Sequence, residues 1–379
     1  MQRLKLAGAA KVWRWALLAV VGAGAGCAGK GGLETLDEMI ERLDWAMTPS
    51  LPSPDSGTYA RLTGKPRDPV IGALVRDLTF DRSLEAAAAG LALNAVEGFG
   101  GITRWELREA LWRGGWPYPV HDARGWSAAG GEAPPEDTFR WLEATQEGDV
   151  IGLVRARGRM GDGWVGMRAH PEVDLGSVPR SATLGTQIML PAIPGAIWRV
   201  SDGGGQLYEG TLEAEEPLLL SSAGEWLVQI LQDGRELARF PVYVEIAAPE
   251  APLLRTPRDA PLIGTAADAD RWARDLLKHV RATYRLPAWE THPLLEAVAR
   301  KLVDDPSRPA ADLLTGVGFR GADALVWTCD DVTVENCLDR LIWDPRRRAG
   351  LLSTELDSVG MSVRLDARGV HMLMLLADG

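Results

Sequence analysis

Two periodicities divide the chain. In its outer parts apolar residues recur at steps of three and four, the spacing that places them on one face of a helix. Between about 175 and 246 short apolar runs alternate with turn residues instead, which is the pattern of strands. On the N-terminal side the helical spacing predicts elements at 33–47, 69–78, 81–95, 103–112 and 135–144. Leu33, Leu36, Ile40, Leu43 and Met47 form the apolar stripe of the first. Asp81 or Ser83 suits the cap of the third, and Thr103 with Glu106 offers the fourth a capping box. Segments 149–156 and 163–169 read as a hairpin, and the stretch from 114 to 135 reads as irregular. On the C-terminal side helices are predicted at 268–284, 292–303, 310–316 and 333–343, and strands at 358–365 and 370–377.

The outer parts carry one order of pieces twice. Leu84-Glu85-Ala86-Ala87-Ala88 matches Leu295-Glu296-Ala297-Val298-Ala299. LREALWRGGW from Leu107 matches LLTGVGFRG from Leu313, and EDTFRWLEA from Glu136 matches ENCLDRLIW from Glu335. VIGLVRARG from Val150 matches VGMSVRLDARG from Val359. The reading is three helices and a hairpin, repeated, with about seven strands in a small sandwich between the copies. The clearest hairpin of that middle part turns at Asp233-Gly234.

The C-terminal copy resembles the CAP superfamily, which includes cysteine-rich secretory proteins, antigen 5 and pathogenesis-related protein 1. YRLPAW from Tyr284 leads into LLEAVA from Leu294, and Gly318-Phe319 closes a small helix. WDPRRRAGLL from Trp343 stands for the family's late-helix signature, Val359-Gly360-Met361 for its next strand, and residues 372–377 for its last. The N-terminal copy resembles the family through the repeat. The family's cavity commonly holds two histidines and two acids around a divalent metal. Here Arg347 falls where the signature histidine is expected, and residues 304–308 contain no histidine. Residues 324–327 are apolar where the first acid is expected, and Glu335 stands for the second. Arginine stays protonated and repels a cation, so the resemblance implies a CAP-like scaffold without the metal site.

The expected fold is α+β: two CAP-like α-β-α sandwich domains flanking an all-β, Ig-like sandwich. The expected divisions are a signal peptide at 1–26, a tether at 27–32, a CAP-like domain at 33–170, the Ig-like sandwich at 171–249, a linker at 250–267 and a CAP-like domain at 268–379.

The N-terminus adds an address. Basic residues, a short apolar run and small residues precede Cys27, which is secretory signal chemistry. A cysteine directly after Gly24-Ala25-Gly26 resembles the bacterial lipoprotein processing site, which implies lipidation of Cys27. The expected location is then the bacterial cell envelope, on the outer membrane or cell surface, with the membrane as partner through that lipid. Cys329 and Cys337 remain, and a pair in an exported chain reads as a disulfide.

Charge narrows the partners. The 379-residue chain has formal charge −11, and loss of Arg3, Lys5, Lys11 and Arg14 with the signal lowers it to about −15. An acidic chain without a basic stripe excludes a nucleic-acid partner. The 15 tryptophans sit mostly at core spacing.

No strong catalytic motif appears. None of the five histidines has a partner at metal-ligand helical spacing, and the expectation is no metal and no cofactor. Arg346, Arg347 and Arg348, with Glu335, are the candidate ligand or anion site. The expected function is non-catalytic binding of a surface protein, glycan or lipid. The alternative is a hydrolase or protease in a CAP-like cleft, with His121 or Glu335 as base and Ser127 as the nearest nucleophile in sequence.

Overall fold

The computed structural model describes residues 57–97, 103–128, 134–158, 161–249, 253–254, 263–319 and 324–378. All of them belong to one compact unit, Pro49–Gly379. The signal, the tether and the helix expected at 33–47 lie outside the described residues, as does most of the linker.

The N-terminal part runs β1 (Thr58–Tyr59), α1 (Pro69–Leu74), β2 (Thr79–Phe80), α2 (Arg82–Glu97), α3 (Arg104–Gly114), β3 (Asp122–Ala128), α4 (Glu136–Glu143), β4 (Val150–Gly158) and β5 (Gly161–Ala169). Asp81 starts α2 by accepting from the Ser83 and Leu84 nitrogens. The Thr103–Glu106 capping box forms at α3, which Gly115 ends in the left-handed conformation. Strand β3 lies inside the stretch expected to be irregular. Its residues pair with β5 from Asp122 to Ala128, so the ladder overrides a turn-rich local sequence.

The middle part runs β6 (Val178–Pro179), β7 (Ser181–Ala182), β8 (Gln187–Leu190), β9 (Ala196–Ser201), β10 (Leu207–Thr211), β11 (Glu216–Leu219), β12 (Gly224–Gln232) and β13 (Arg235–Val244). Five of these strands form a central sheet in the order β10-β9-β12-β13-β7, while β8 pairs with β11 and β6 with β1. Asp233 and Gly234 both take positive φ at the β12–β13 turn, which matches the strand twist of a two-residue hairpin.

The C-terminal part runs α5 (Ala266–Thr283), β14 (Glu290–Thr291), α6 (Pro293–Asp304), α7 (Ala310–Gly316), β15 (Ala324–Asp331), α8 (Val334–Ile342), α9 (Pro345–Leu352), β16 (Ser358–Asp366) and β17 (Gly369–Ala377). Its sheet has the order β14-β16-β17-β15, and the N-terminal sheet has the order β2-β4-β5-β3. In both, the short first strand is parallel to its neighbour and the other pairings are antiparallel. The repeat is therefore topological.

A glycine fixes its register. A Cβ at Gly152 would lie 2.6 Å from the Glu85 nitrogen, and one at Gly360 would lie 2.5 Å from the Leu295 oxygen. The Asp81 nitrogen donates to the Ile151 carbonyl at 2.9 Å, and the His292 nitrogen to the Val359 carbonyl at 2.9 Å. Gly152 thus corresponds to Gly360, one residue away from the alignment that sets Val150 against Val359.

Helices cover both faces of each sheet. Ile151 and Leu153 pack with Ile71, Val75, Trp141 and Leu142, opposite the face on which Gly152 meets α2. In the C-terminal part Leu373 and Leu375 pack with Leu295, Val298 and Leu314, whereas Val359 and Met361 face Arg274 and Leu277 of α5. The described chain is a mixed α+β fold.

The arginine run follows the helix expected at 333–343 and opens a separate helix, α9, that was not expected, capped by Asp344 with Pro345 at its first position. Cations there oppose the helix dipole rather than complement it, so other contacts hold them. Strand β15 likewise occupies the apolar stretch after 324.

Candidate functional site

Alternate residues of β12 share a face, and Glu225, Leu227, Gln229 and Leu231 fall on one of them. The register sets Gln229 opposite Arg199 of β9 and Arg239 of β13, and Arg199 opposite Glu209 of β10. Four polar side chains therefore form one row across four strands. A neighbouring row holds Ser201 and Leu227, and the next in the other direction holds Ile197 and Leu231.

Helix α9 covers one end of this face. Arg348 is fully buried there. It donates to the Ser201 carbonyl and hydroxyl at 3.1 and 3.0 Å, to Glu225 Oε1 at 3.0 Å and to the Tyr284 hydroxyl at 3.0 Å. Tyr284 in turn donates to Glu225 Oε1 at 2.8 Å, and burial pushes its hydroxyl well above the usual range. Arg346 grips Glu209 with two bonds of 2.6 and 2.9 Å. That hydrogen bond holds the Glu209 carboxyl below the usual range, against a smaller opposing effect of burial. Asp344 Oδ1 accepts from the Arg346 and Arg347 nitrogens at 3.0 and 3.2 Å.

The uncovered end is a polar groove of ≈ 470 Å³. Arg199, Gln229 and Arg239 line it, with Ile197 and Leu231 as apolar surface and Asp344 from the start of α9. Gln229 Nε2 donates to Glu236 Oε2 at 2.9 Å, and Arg239 also pairs with Glu236. Arg199 Nε lies 2.7 Å from Glu209. Burial lowers the Arg239 pKa, and Glu236 opposes that shift. Gln229 is 4% exposed, yet its Oε1 has no hydrogen-bond partner. Glu236 only accepts, so it fixes which end of the amide faces it and leaves the oxygen unpaired.

The residues singled out from sequence scatter. Cys27 lies outside the described residues. Cys329 and Cys337 form a disulfide that ties β15 to α8, with Cα atoms 5.6 Å apart. Arg346 and Arg348 are engaged by the central sheet and do not form an open cationic patch with Arg347. The Arg347 guanidinium lies 5.6 Å from the Trp327 ring centroid and 3.9 Å from Asp344. Glu335 accepts from Trp272 Nε1 at 2.6 Å. His121 is half-exposed, with Nε2 3.9 Å from Asp149, and His170 approaches the same carboxylate at 3.2 Å. Ser127 stands six residues along β3, about 20 Å away, so the structure does not bring these two together. Among the described residues no group of three or more His, Cys, Asp or Glu side chains is placed to hold a metal ion. No described helix is long and apolar enough to cross a membrane.

Sequence reasoning missed the row Glu209–Arg199–Gln229–Arg239. Its signal was a glutamine inside the apolar run EWLVQIL, in a strand whose residues from Glu225 to Leu231 are all buried.

No protein-family model matches the chain, and no curated protein matches it. Solved structures similar to it include a cysteine-rich secretory protein from Staphylococcus aureus, at 9% identity and TM-score 0.28, covering 69% of this chain and 88% of that one. An extracellular protein containing an SCP domain from Bacillus anthracis is similar at 14% identity and TM-score 0.24, covering 60% and 81%. An outer surface protein from Borrelia burgdorferi is similar at 12% identity and TM-score 0.25, covering 28% and 90%.

Proposed function

We propose that the chain is an exported, lipid-anchored protein of the bacterial cell envelope that binds a surface ligand without turning it over. In this reading residues 33–170 and 268–379 are degenerate CAP-like domains, residues 171–249 are an Ig-like sandwich, and Cys27 carries the lipid. The site is the groove over the end of the central sheet that α9 leaves uncovered, with Asp344 at its edge.

One observation carries the binding role. The two side chains that the CAP resemblance would assign to a ligand cavity are held in structural contacts, Arg347 over Trp327 and Glu335 on Trp272, and the other candidate arginines, Arg346 and Arg348, are engaged by the central sheet. The roomy polar space lies elsewhere, over Arg199, Gln229 and Arg239. Ser127, the nearest nucleophile to His121 in sequence, stands about 20 Å along β3 from it, and Glu335 is engaged by Trp272 Nε1 at 2.6 Å.

Two measurements test this. Radiolabelled palmitate should enter the full-length protein in bacteria and be lost in Cys27→Ser. Full-length protein should sediment saturably with isolated bacterial envelopes and release no peptide or ester product from them. Saturable sedimentation that survives His121→Ala and Glu335→Ala supports binding. Product release abolished by either substitution would replace it with the hydrolase alternative.

A further inference from the structure

The groove has a property that selects among ligands. Its floor presents donors and acceptors side by side. Arg199 and Arg239 supply guanidinium N–H groups on either flank of Gln229, in cross-strand register. Gln229 Oε1 is a buried acceptor with no partner. A buried acceptor left unpaired destabilises the site, and a ligand that pairs it gains by doing so. Glu236 and Asp344 add carboxylates at the wall, and Asp233 adds one at the hairpin turn.

Ligand classes can be eliminated by pairing rules. A carboxylate brings acceptors alone and would leave Gln229 Oε1 unpaired. A phosphate has few donors for its negative charge and, like the carboxylate, would meet Glu236, Asp344 and Asp233. A polyamine brings donors and positive charge alone, and would meet Arg199 and Arg239. An apolar ligand would strand the whole row. Closely spaced hydroxyl groups each donate one bond and accept others, so they satisfy the oxygen of Gln229 and the flanking guanidinium groups at once. Ile197 and Leu231 give the carbon-bound hydrogens of a ring an apolar surface beside that row. The volume, ≈ 470 Å³, falls within the roughly 300–1,000 Å³ of small-molecule sites.

On the basis of the binding role proposed above, we infer that this groove takes a neutral, polyhydroxylated ligand: a short saccharide segment held by the row Arg199–Gln229–Arg239. Gln229 Oε1 accepts from a ring hydroxyl. The arginines donate to its neighbours.

The test uses full-length protein and three disaccharides, maltose, lactose and chitobiose, read by saturation-transfer NMR and titration calorimetry. At least one should bind saturably, and neither inorganic phosphate nor spermidine should displace it. Gln229→Met keeps the side-chain length and removes the acceptor, and should weaken binding at least tenfold with an unchanged melting temperature. If that variant melts early, amide hydrogen exchange on the unaltered protein decides. The bound disaccharide should slow exchange in β9 and β12, and exchange slowed elsewhere instead overturns the assignment. Failure of all three disaccharides, displacement by phosphate or spermidine, or unchanged affinity in a folded Gln229→Met protein also overturns it. Envelope sedimentation that persists while every disaccharide fails removes the ligand class and leaves the binding role standing. Disaccharide protection of β9 and β12 without sedimentation does the reverse.

Discussion

Arg348 of α9 and Glu225 of β12 form an ion pair 3.0 Å long, with both side chains at zero exposure. The pair joins the C-terminal repeat to the central sheet. Two charges leave water to make it, so the attraction alone does not guarantee a gain. The additional bonds to Ser201 and Tyr284 complete the geometry that such a pair needs. Arg281 supports the far end of α9, where its guanidinium donates to the Leu351 carbonyl at 2.7 Å and the Ser353 carbonyl at 3.2 Å. Helix α9 is thus held at both ends by buried arginines, one reaching the sheet and one belonging to α5.

Breaking the pair from one side should be severe. Arg348→Met leaves Glu225 buried without its cation and should cost about 3–5 kcal/mol. Adding Glu225→Gln removes the stranded charge and should recover part of that loss. Urea unfolding of the unaltered protein and the two variants checks both statements. A single-variant loss below about 1 kcal/mol would mean that water reaches Glu225.

The glycine of the repeat should tolerate no side chain. In Gly360→Ala the new methyl group meets the Leu295 backbone, which neither β16 nor α6 can yield cheaply. The expected loss is about 3 kcal/mol or more, the upper range of overpacking. Gly316 is the control, since a Cβ there meets nothing within 4 Å. Gly316→Ala in α7 should be neutral or stabilising by up to about 1 kcal/mol. Thermal melts of the two variants side by side separate them.

Local rules made much of this fold legible. The Thr103–Glu106 box and the helical spacing over 268–284 predict helices that form. The repeat pointed to a shared architecture, and the common sheet order supports it. Helix α9 was missed because Asp344-Pro345 reads as a stop. The same dipeptide is also a start, with aspartate as cap and proline in the first turn. Strand β3 was missed because Gly125 and the flanking turn residues weaken the local pattern, and pairing with β5 decides the outcome. The candidate site was least legible. Arg348 finds its partners 123 and 147 residues away, and the row under the groove exists only once four strands are in register.

Reduction of the disulfide should be felt in proportion to its small loop. Cys329 and Cys337 are eight residues apart. On the loop-entropy estimate the bridge contributes about 2.5 kcal/mol. The Cys329→Ser, Cys337→Ser double variant should therefore lose about that much and stay folded, because Val334, Leu338, Leu341 and Ile342 keep α8 buried. Dithiothreitol should lower the melting temperature of the unaltered protein and leave the double variant unchanged. A shift in the variant would assign the effect to something other than this bridge.

The joint on the rim of the groove should loosen in acid. Glu209 takes two bonds from Arg346 and lies beside Arg199, and these cations depress its pKa. A carboxyl whose pKa falls on folding binds fewer protons in the folded state than in the unfolded one, so stability rises with pH across that window. Its contribution is complete above the unfolded value of about 4.3 and disappears as pH falls through the lower folded value. The side chain is 35% exposed, so solvent screens the effect and high salt should shrink it. The expected outcome is a urea midpoint that is higher for the unaltered protein than for Glu209→Gln at pH 6, with the gap closing toward pH 3. A gap that is the same at both values would mean that the Arg346 contact does not depend on the carboxylate charge. Because Glu209 also orients Arg199, the disaccharide affinity of the unaltered protein should fall over the same acid range.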